Sequence, residues 1–323
     1  MITSEDFGAL RPEWETLHAA VPGATPFTHP AWHETWLRHF GRQAAPVFLS
    51  VRVDEQLVGV AALDMDRDGA RTLGDRNVRD YAGPLVAPGY EEVVAAGLLE
   101  WLTEDLTGAL ELWGLGGDGS FAAALVAVAA PMGWRAERIA EAVSPRMALP
   151  ADFEAYLAGL SKRARHEIRR KLRNLAAAGT VSFEGVTDPA TVSARMAGFL
   201  ELLRGSRDDK DAFLTPAMEA FFRDLSATFA GLGLLRLSSL KLDGATIAMT
   251  LAFESSETTF LYNSGYDPAF ATLAAGLLSK VYTIRDCIAR GKRTFDFLRG
   301  DEPYKVELGG QPLEIITLKL RQR

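Results

Sequence analysis

The stretch Asp296-Phe-Leu-Arg-Gly-Asp-Glu-Pro-Tyr-Lys305 decides the fold of the second half of this chain. Polar and apolar side chains alternate over 293–297, which predicts a strand that ends at a glycine turn. Asp296 then lies at the carboxyl end of a strand, a place where clefts commonly form and ligands bind. Arg299, Tyr304 and Lys305 follow within one short loop and helix. The stretch therefore predicts that a functional site lies at this end of the sheet.

Apolar periodicity on both sides of this stretch predicts an α+β pattern. The second half reads as strand, two helices, three antiparallel strands, helix, strand, short helix and strand. Asp243-Gly244 is a strong two-residue hairpin signal between two of those strands.

The first half of the chain repeats the same order in a looser form. It includes a helix over Thr28–Phe40, for which Thr28 is the predicted N-cap. With 323 residues the chain is long enough for two domains. We therefore predict two structurally similar domains, 1–150 and 151–323, each with a mixed, mainly antiparallel sheet flanked by helices.

Composition and charge exclude several classes of protein. A formal net charge of −7 argues against a chain whose main partner is a nucleic-acid backbone. Cys287 is the only cysteine, so no intrachain disulfide can form, and its apolar helical neighbours predict a core residue. His29, His33 and His39 have no carboxylate or cysteine at matching spacing, so no metal site is predicted.

The sequence predicts a cytoplasmic protein. Its first residues lack the features of a signal peptide. The longest uncharged apolar run, Phe121–Met132, is too short to span a bilayer.

Residues 161–173 predict an amphipathic helix with one cationic face. The basic stripe comprises Lys162, Arg165, Arg169 and Arg173, and the opposing apolar stripe comprises Leu160, Ala164, Ile168, Leu172 and Leu175. Arginine suits bidentate contacts with phosphate, so this face predicts a binding surface for a phosphate-bearing substrate. An ordinary solvated face is the alternative.

A third segment precedes Asp296–Lys305 in the chain. It reads Tyr262-Asn-Ser-Gly-Tyr266-Asp-Pro, and Ala274-Ala-Gly276 follows at the start of a predicted helix. The first N–H groups of a helix favour anions.

Together these three segments resemble the GNAT acyltransferases, in particular the CelD/BcsL-like acetyltransferases. That double-GNAT family is often associated with cellulose and exopolysaccharide biosynthesis. The segments are also similar to the FemABX peptidyltransferases, which use aminoacyl-tRNA. The resemblance implies two tandem GNAT-like domains, a degenerate one at 1–150 and an acyltransferase domain at 151–323.

The resemblance also implies acyl-CoA, first of all acetyl-CoA, as the donor. Its binding residues would be Ser264, Ala275, Gly276 and Leu277. Only Gly276 of the family's glycine-rich loop is present, since Leu277 and Leu278 replace small residues as in the FemABX-like branch. Alternatively, Gly276 only relieves crowding between helix and strand.

Three residues are the candidates for catalysis. Acyl transfer needs proton removal and stabilisation of an oxyanion. Asp296 would orient or deprotonate the acceptor, and Tyr304 would protonate the leaving group. Lys305 would stabilise the oxyanion or a substrate phosphate. A salt-bridged turn is the alternative. The candidates for substrate binding are Arg165, Arg169, Tyr262, Tyr266, Arg299, Asp80 and Tyr81.

The resemblance thus implies an acyltransferase for acyl groups other than aminoacyl groups. Its acceptor would be an amine or hydroxyl on a small molecule, sugar or peptide, as in polysaccharide or cell-envelope biosynthesis. Aminoacyl transfer from tRNA, which is less favoured, and a non-catalytic binding protein are the alternatives. We expect a monomer or homodimer without metal or membrane span.

Overall fold

A computed structural model of the chain describes residues 1–67, 69–105, 108–206 and 208–322. They form two compact units. Unit 1 is Met1–Val143 with the segment from Leu313, and unit 2 is Ser144–Pro312. Each is α+β, with helices flanking a mixed, mainly antiparallel sheet, so the predicted fold class is confirmed.

Unit 1 begins with a strand and two helices and continues as a meander. Its elements are β1 (Ile2–Glu5), α1 (Phe7–Ala20), α2 (Pro30–Phe40), β2 (Pro46–Val53), β3 (Gln56–Asp66), β4 (Gly69–Thr72), β5 (Leu85–Val86), α3 (Glu91–Asp105), β6 (Ala109–Gly116), α4 (Ser120–Ala129) and β7 (Trp134–Ala148), whose end belongs to unit 2. His29, not Thr28, caps α2, because its Nδ1 accepts the N–H of Ala31 at 3.1 Å.

Unit 2 contains the stretch that opened the sequence analysis. Its elements are α5 (Phe153–Gly159), α6 (Lys162–Ala178), β8 (Val181–Val186), α7 (Pro189–Gly205), α8 (Asp208–Phe213), α9 (Pro216–Gly231), β9 (Leu235–Leu242), β10 (Ala245–Glu254), β11 (Thr258–Tyr266), α10 (Ala275–Ala289), β12 (Thr294–Asp296) and α11 (Pro303–Glu307). The strand order is β12-β11-β10-β9-β8, and the end of β7 pairs with β12.

Two sequence signals in unit 2 are confirmed. Asp243 and Gly244 both have positive φ, 49° and 84°, as a tight hairpin requires. The apolar stripe of α6 packs into the core, where Ile168 and Leu175 are buried beside Leu278 of α10. This packing follows from helical periodicity, because residues three and four apart share one face.

The last strand, β13 (Gln311–Gln322), pairs antiparallel with β6, from Ile315 opposite Gly116 to Arg321 opposite Ala109. From Leu313 it therefore belongs to unit 1, whereas the sequence predicts it within a domain 151–323. Unit 1 has the strand order β1-β2-β3-β4-β6-β13.

Candidate active site

The parallel pair β11 and β12 separates part of the way along β11. Pairing runs from Thr258 opposite Thr294 to Phe260 opposite Asp296, where β12 ends. β11 continues to Tyr266 and carries an extra residue, Tyr262, which forms a bulge against β10. Beyond Phe260, β12 no longer runs alongside β11, and the two strands diverge.

The start of α10 follows directly after β11 and a short 3-10 turn. Ala274 has left-handed φ and ψ, 56° and 36°, and no side chain caps the helix. The N–H groups of Ala275 and Gly276 have no carbonyl within reach inside the helix, because they belong to its first turn. Such a start attracts anions. A Cβ on Gly276 would lie only 2.7 Å from Cδ1 of Tyr266. The lack of a side chain at Gly276 therefore leaves room for the Tyr266 ring.

Asp296 is buried and organises the turn that follows β12. Its Oδ1 accepts the N–H of Leu298 at 2.7 Å and the hydroxyl of Ser144 at 3.2 Å. Leu298 adopts a left-handed φ of 58°. This geometry supports a positioning role for the carboxylate, because it ties the turn after β12 to Ser144 on β7.

Lys305 is also buried, and its ammonium group closes the same turn. Nζ donates to the carbonyl oxygens of Leu298 at 3.0 Å and Arg299 at 2.8 Å, and it forms an ion pair with Glu302 at 3.0 Å. Gly300 has a φ of 132°, a conformation that side-chain-bearing residues rarely adopt, so the turn favours glycine there. An ammonium group has three N–H donors. Two of them are bonded to the carbonyls of Leu298 and Arg299, and the carboxylate of Glu302 neutralises the charge. An oxyanion would have to compete with these contacts.

Tyr304 is half-buried on α11. It lies beside Lys280, which is not among the residues predicted from the sequence. Nζ of Lys280 lies 5.1 Å from the centroid of the Tyr304 ring. The same Nζ donates to the carbonyl of Gly276 at 2.8 Å. Lys280 therefore connects Tyr304 with the start of α10. Its signal in the sequence is a single lysine within the apolar helical run Leu277–Ile288.

The cationic face of α6 lies in the same unit. α6 packs against α10 and against the 3-10 turn Pro268–Leu273 that precedes it. Arg169 forms an ion pair with Glu154 at 2.7 Å, and Arg165 donates to the carbonyl of Ala158 at 3.2 Å. Ion pairs between exposed side chains are weak, so a phosphate can compete for these cations.

The remaining candidates of unit 2 differ in their surroundings. Tyr262 stacks on Phe222, with ring centroids 5.6 Å apart, and lies close to Phe253, so its ring belongs to an aromatic cluster. Ser264 is half-buried on β11 opposite Thr250. Arg299 is half-buried in the turn held by Lys305.

Asp80 and Tyr81 belong to unit 1. Tyr81 lines a cavity of about 360 Å³ together with Thr25, Glu91 and Gly116. Its carbonyl accepts from Nε of the buried Arg79 at 3.2 Å.

Metal and thiol chemistry have little support in the described part of the chain. It holds no group of three or more histidine, cysteine, aspartate or glutamate residues that could bind a metal. Cys287 is fully buried, and burial raises the pKa of its thiol to about 11. The described helices also include none long and apolar enough to cross a membrane.

A helix that joins two separating parallel strands, with an uncapped start beside the gap, is the arrangement expected of a GNAT acyltransferase domain. Residues 162–306 match the family model described as an acetyltransferase (GNAT) domain. This match lies within unit 2, which therefore carries a GNAT fold.

The whole chain is similar in fold to several solved structures. FemX has a TM-score of 0.70 and 13% identity, with 99% of this chain and 96% of that chain covered. A conserved protein of unknown function from Bacteroides thetaiotaomicron has a TM-score of 0.66 and 12% identity, with both chains covered completely. A tandem GNAT protein from the clavulanic acid biosynthesis pathway has a TM-score of 0.52 and 15% identity, with 100% and 98% covered. No curated protein matches the chain. At these identities the similarity establishes the fold alone.

Proposed function

We propose that unit 2 transfers an acyl group from acyl-CoA, first of all acetyl-CoA, to an amine or hydroxyl by direct attack. The observation that supports this most is the uncapped start of α10 beside the part of β11 that extends past the end of β12. N–H groups at a helix start suit a pyrophosphate, and a strand edge suits the amide groups of an extended donor.

The two leucines that replace the family's small residues do not prevent this. Leu278 is fully buried in the core of unit 2, and Leu277 packs against the same core. Their side chains therefore occupy the core side of α10. The N–H groups of Ala275 and Gly276 keep their role as anion donors, and the cations of α6 would supply further contacts to phosphate.

The reaction needs one proton donor at the leaving group. The acceptor's lone pair attacks the thioester carbon, a C–N or C–O bond forms, and the carbonyl electrons move to oxygen. When the oxyanion collapses, the C–S bond breaks and its electron pair goes to sulfur. Tyr304 gives its phenol proton to that sulfur, and the proton lost by the acceptor restores the phenol. Asp296 and Lys305 hold the turn that leads to Tyr304.

Calorimetric titration with CoA and acetyl-CoA, followed by a thiol-release assay with amines and hydroxyl compounds, tests the proposal. We expect binding of both nucleotides and release of one thiol for each acyl group transferred. The absence of both would refute the proposal. Binding without thiol release, over a broad set of acceptors, would indicate a non-catalytic binding protein.

The resemblance to the CelD/BcsL-like family supports a sugar or another cell-envelope precursor as the acceptor, in cellulose or exopolysaccharide biosynthesis. Amino sugars and sugar alcohols therefore come first in the acceptor screen.

Aminoacyl transfer of the FemABX kind is the second candidate. It is supported by the fold similarity to FemX over 99% of this chain and by the cationic face of α6. An Arg165→Ala/Arg169→Ala variant should then lose affinity for an aminoacyl-tRNA mimic. Arg223→Ala/Arg293→Ala, which removes two exposed arginines elsewhere in unit 2, is the charge-matched control. Equal affinity in both variants would contradict this candidate.

A further inference from the structure

Lys280 is a lysine buried within α10. Its side chain is 8% exposed, although burying an ammonium group is costly. It lies in the second turn of α10, near the positive end of the helix dipole, where a cation is disfavoured. The contacts of its ammonium group therefore bear on its role.

Those contacts join two parts of the candidate site. Nζ donates to the carbonyl of Gly276 at 2.8 Å, which fixes the ammonium group beside the first turn of α10. It also lies 5.1 Å from the centroid of the Tyr304 ring, within the range of about 6 Å for a cation–π contact. A buried cation–π contact is stronger than an exposed one, because water does not screen it.

Lys305 is less suited to act on Tyr304 by charge, although it is adjacent in sequence. Its ammonium group is engaged by the carbonyls of Leu298 and Arg299 and by the carboxylate of Glu302, which neutralises it. Lys280 contacts the carbonyl of Gly276 and the ring of Tyr304.

We propose that Lys280 is a positioning residue for acyl transfer and acts through Tyr304. It holds the phenol ring beside the start of α10. Its charge also stabilises the phenolate that remains when the Tyr304 proton passes to the leaving sulfur. This proposal rests on the proposed function, in which the C–S bond breaks with its electron pair on sulfur and the acceptor's proton then restores the phenol.

Steady-state kinetics of Lys280→Met and Lys280→Arg, each also combined with Tyr304→Phe, tests the proposal. With acetyl-CoA as donor, Lys280→Met should lower kcat about tenfold with little change in KM, the effect expected for losing a desolvated cation–π contact. Lys280→Arg should restore most of kcat. In the Tyr304→Phe background, Lys280→Met should have little further effect.

Two kinetic results would overturn the proposal. An equal loss in both backgrounds would show that Lys280 does not act through Tyr304. A raised KM with unchanged kcat would place Lys280 in donor binding instead.

A second measurement does not depend on turnover. The chain has seven tyrosines, and in ring-labelled ¹³C-tyrosine spectra Tyr304→Phe identifies the Tyr304 signal. Lys280→Met should shift or broaden that signal, and Lys280→Arg should leave it near its original position. An unchanged Tyr304 signal in Lys280→Met would refute the contact. If the wild-type protein shows no acyl transfer, the proposed function fails, while this spectrum still decides whether Lys280 positions Tyr304.

Discussion

Asp296 and Lys305 hold opposite ends of the same residue, Leu298. The carboxylate of Asp296 accepts its N–H at 2.7 Å, and the ammonium group of Lys305 donates to its carbonyl at 3.0 Å. Leu298 has a φ of 58°, a left-handed conformation that costs a residue with a Cβ about 1–2 kcal/mol. The two charged groups stabilise this conformation and thereby set the direction in which the chain enters Gly300 and α11.

Replacing Lys305 by methionine should destabilise unit 2. The carbonyls of Leu298 and Arg299 would lose a buried donor, and we expect the free energy of unfolding to fall by about 3 kcal/mol. Urea unfolding followed by circular dichroism measures this loss. Lys162→Met, at an exposed position, is the control and should change stability by less than about 0.5 kcal/mol. Unchanged stability together with lost turnover would favour the oxyanion role for Lys305.

Two substitutions of Asp296 separate positioning from proton transfer. The amide oxygen of Asp296→Asn can still accept from Leu298 and Ser144, so turnover and stability should both be largely retained. Asp296→Ala leaves both donors buried without an acceptor and should cost about 2–4 kcal/mol. Unfolding and acyl-transfer assays on both variants provide the measurement. If Asp296→Asn remained stable but lost all turnover, the carboxylate would be a catalytic base.

Substitution of Gly276 by alanine should weaken acyl-CoA binding. The new Cβ would lie 2.7 Å from the Tyr266 ring and displace either that ring or the start of α10. We expect an approximately tenfold loss of affinity, which is about 1.4 kcal/mol, by calorimetric titration. Gly198→Ala in α7 is the matched control, because no atom lies within 4 Å of its Cβ position. A Gly276→Ala variant with wild-type affinity would contradict binding at this helix start.

Acid should destabilise unit 1 through its buried histidines. Burial lowers the pKa of His29 to about 3, and it lowers the pKa of His33 well below its usual value. A depressed pKa means that the neutral form stabilises the fold. This stability is complete above about pH 6.5, the unfolded value, and is lost for His29 as the pH falls towards 3.

His29→Asn tests this expectation, because asparagine can still cap α2. The fall in unfolding free energy between pH 7 and pH 5 should be less steep, by up to about 1.4 kcal/mol per pH unit. Tryptophan fluorescence reports on unit 1, since all six tryptophans lie there. His166→Asn, an exposed position in α6, should keep the wild-type pH dependence. If the unfolding free energy of His29→Asn fell with pH as steeply as that of the wild type, His29 would not be a source of the acid sensitivity.

Periodicity and turn chemistry predicted most of the fold. The apolar stripe that buries Ile168 and Leu175 and the hairpin at Asp243-Gly244 both depend on residues close together in the chain. The cap of α2 was predicted one residue too early, at Thr28 instead of His29. Threonine is a common N-cap, whereas the role of His29 depends on the tautomer and rotamer that its buried surroundings select.

The stretch Asp296–Lys305 shows how far the sequence by itself determined this protein. It placed Asp296 at the end of a strand and Tyr304 and Lys305 on a short helix, because those features follow from local alternation and turn residues. The tertiary structure decided which groups these side chains meet. In the folded chain Asp296 and Lys305 bond to Leu298, and Lys280 contacts Tyr304, 24 positions later in the chain. Such contacts depend on how elements pack, and no periodicity along the chain records them.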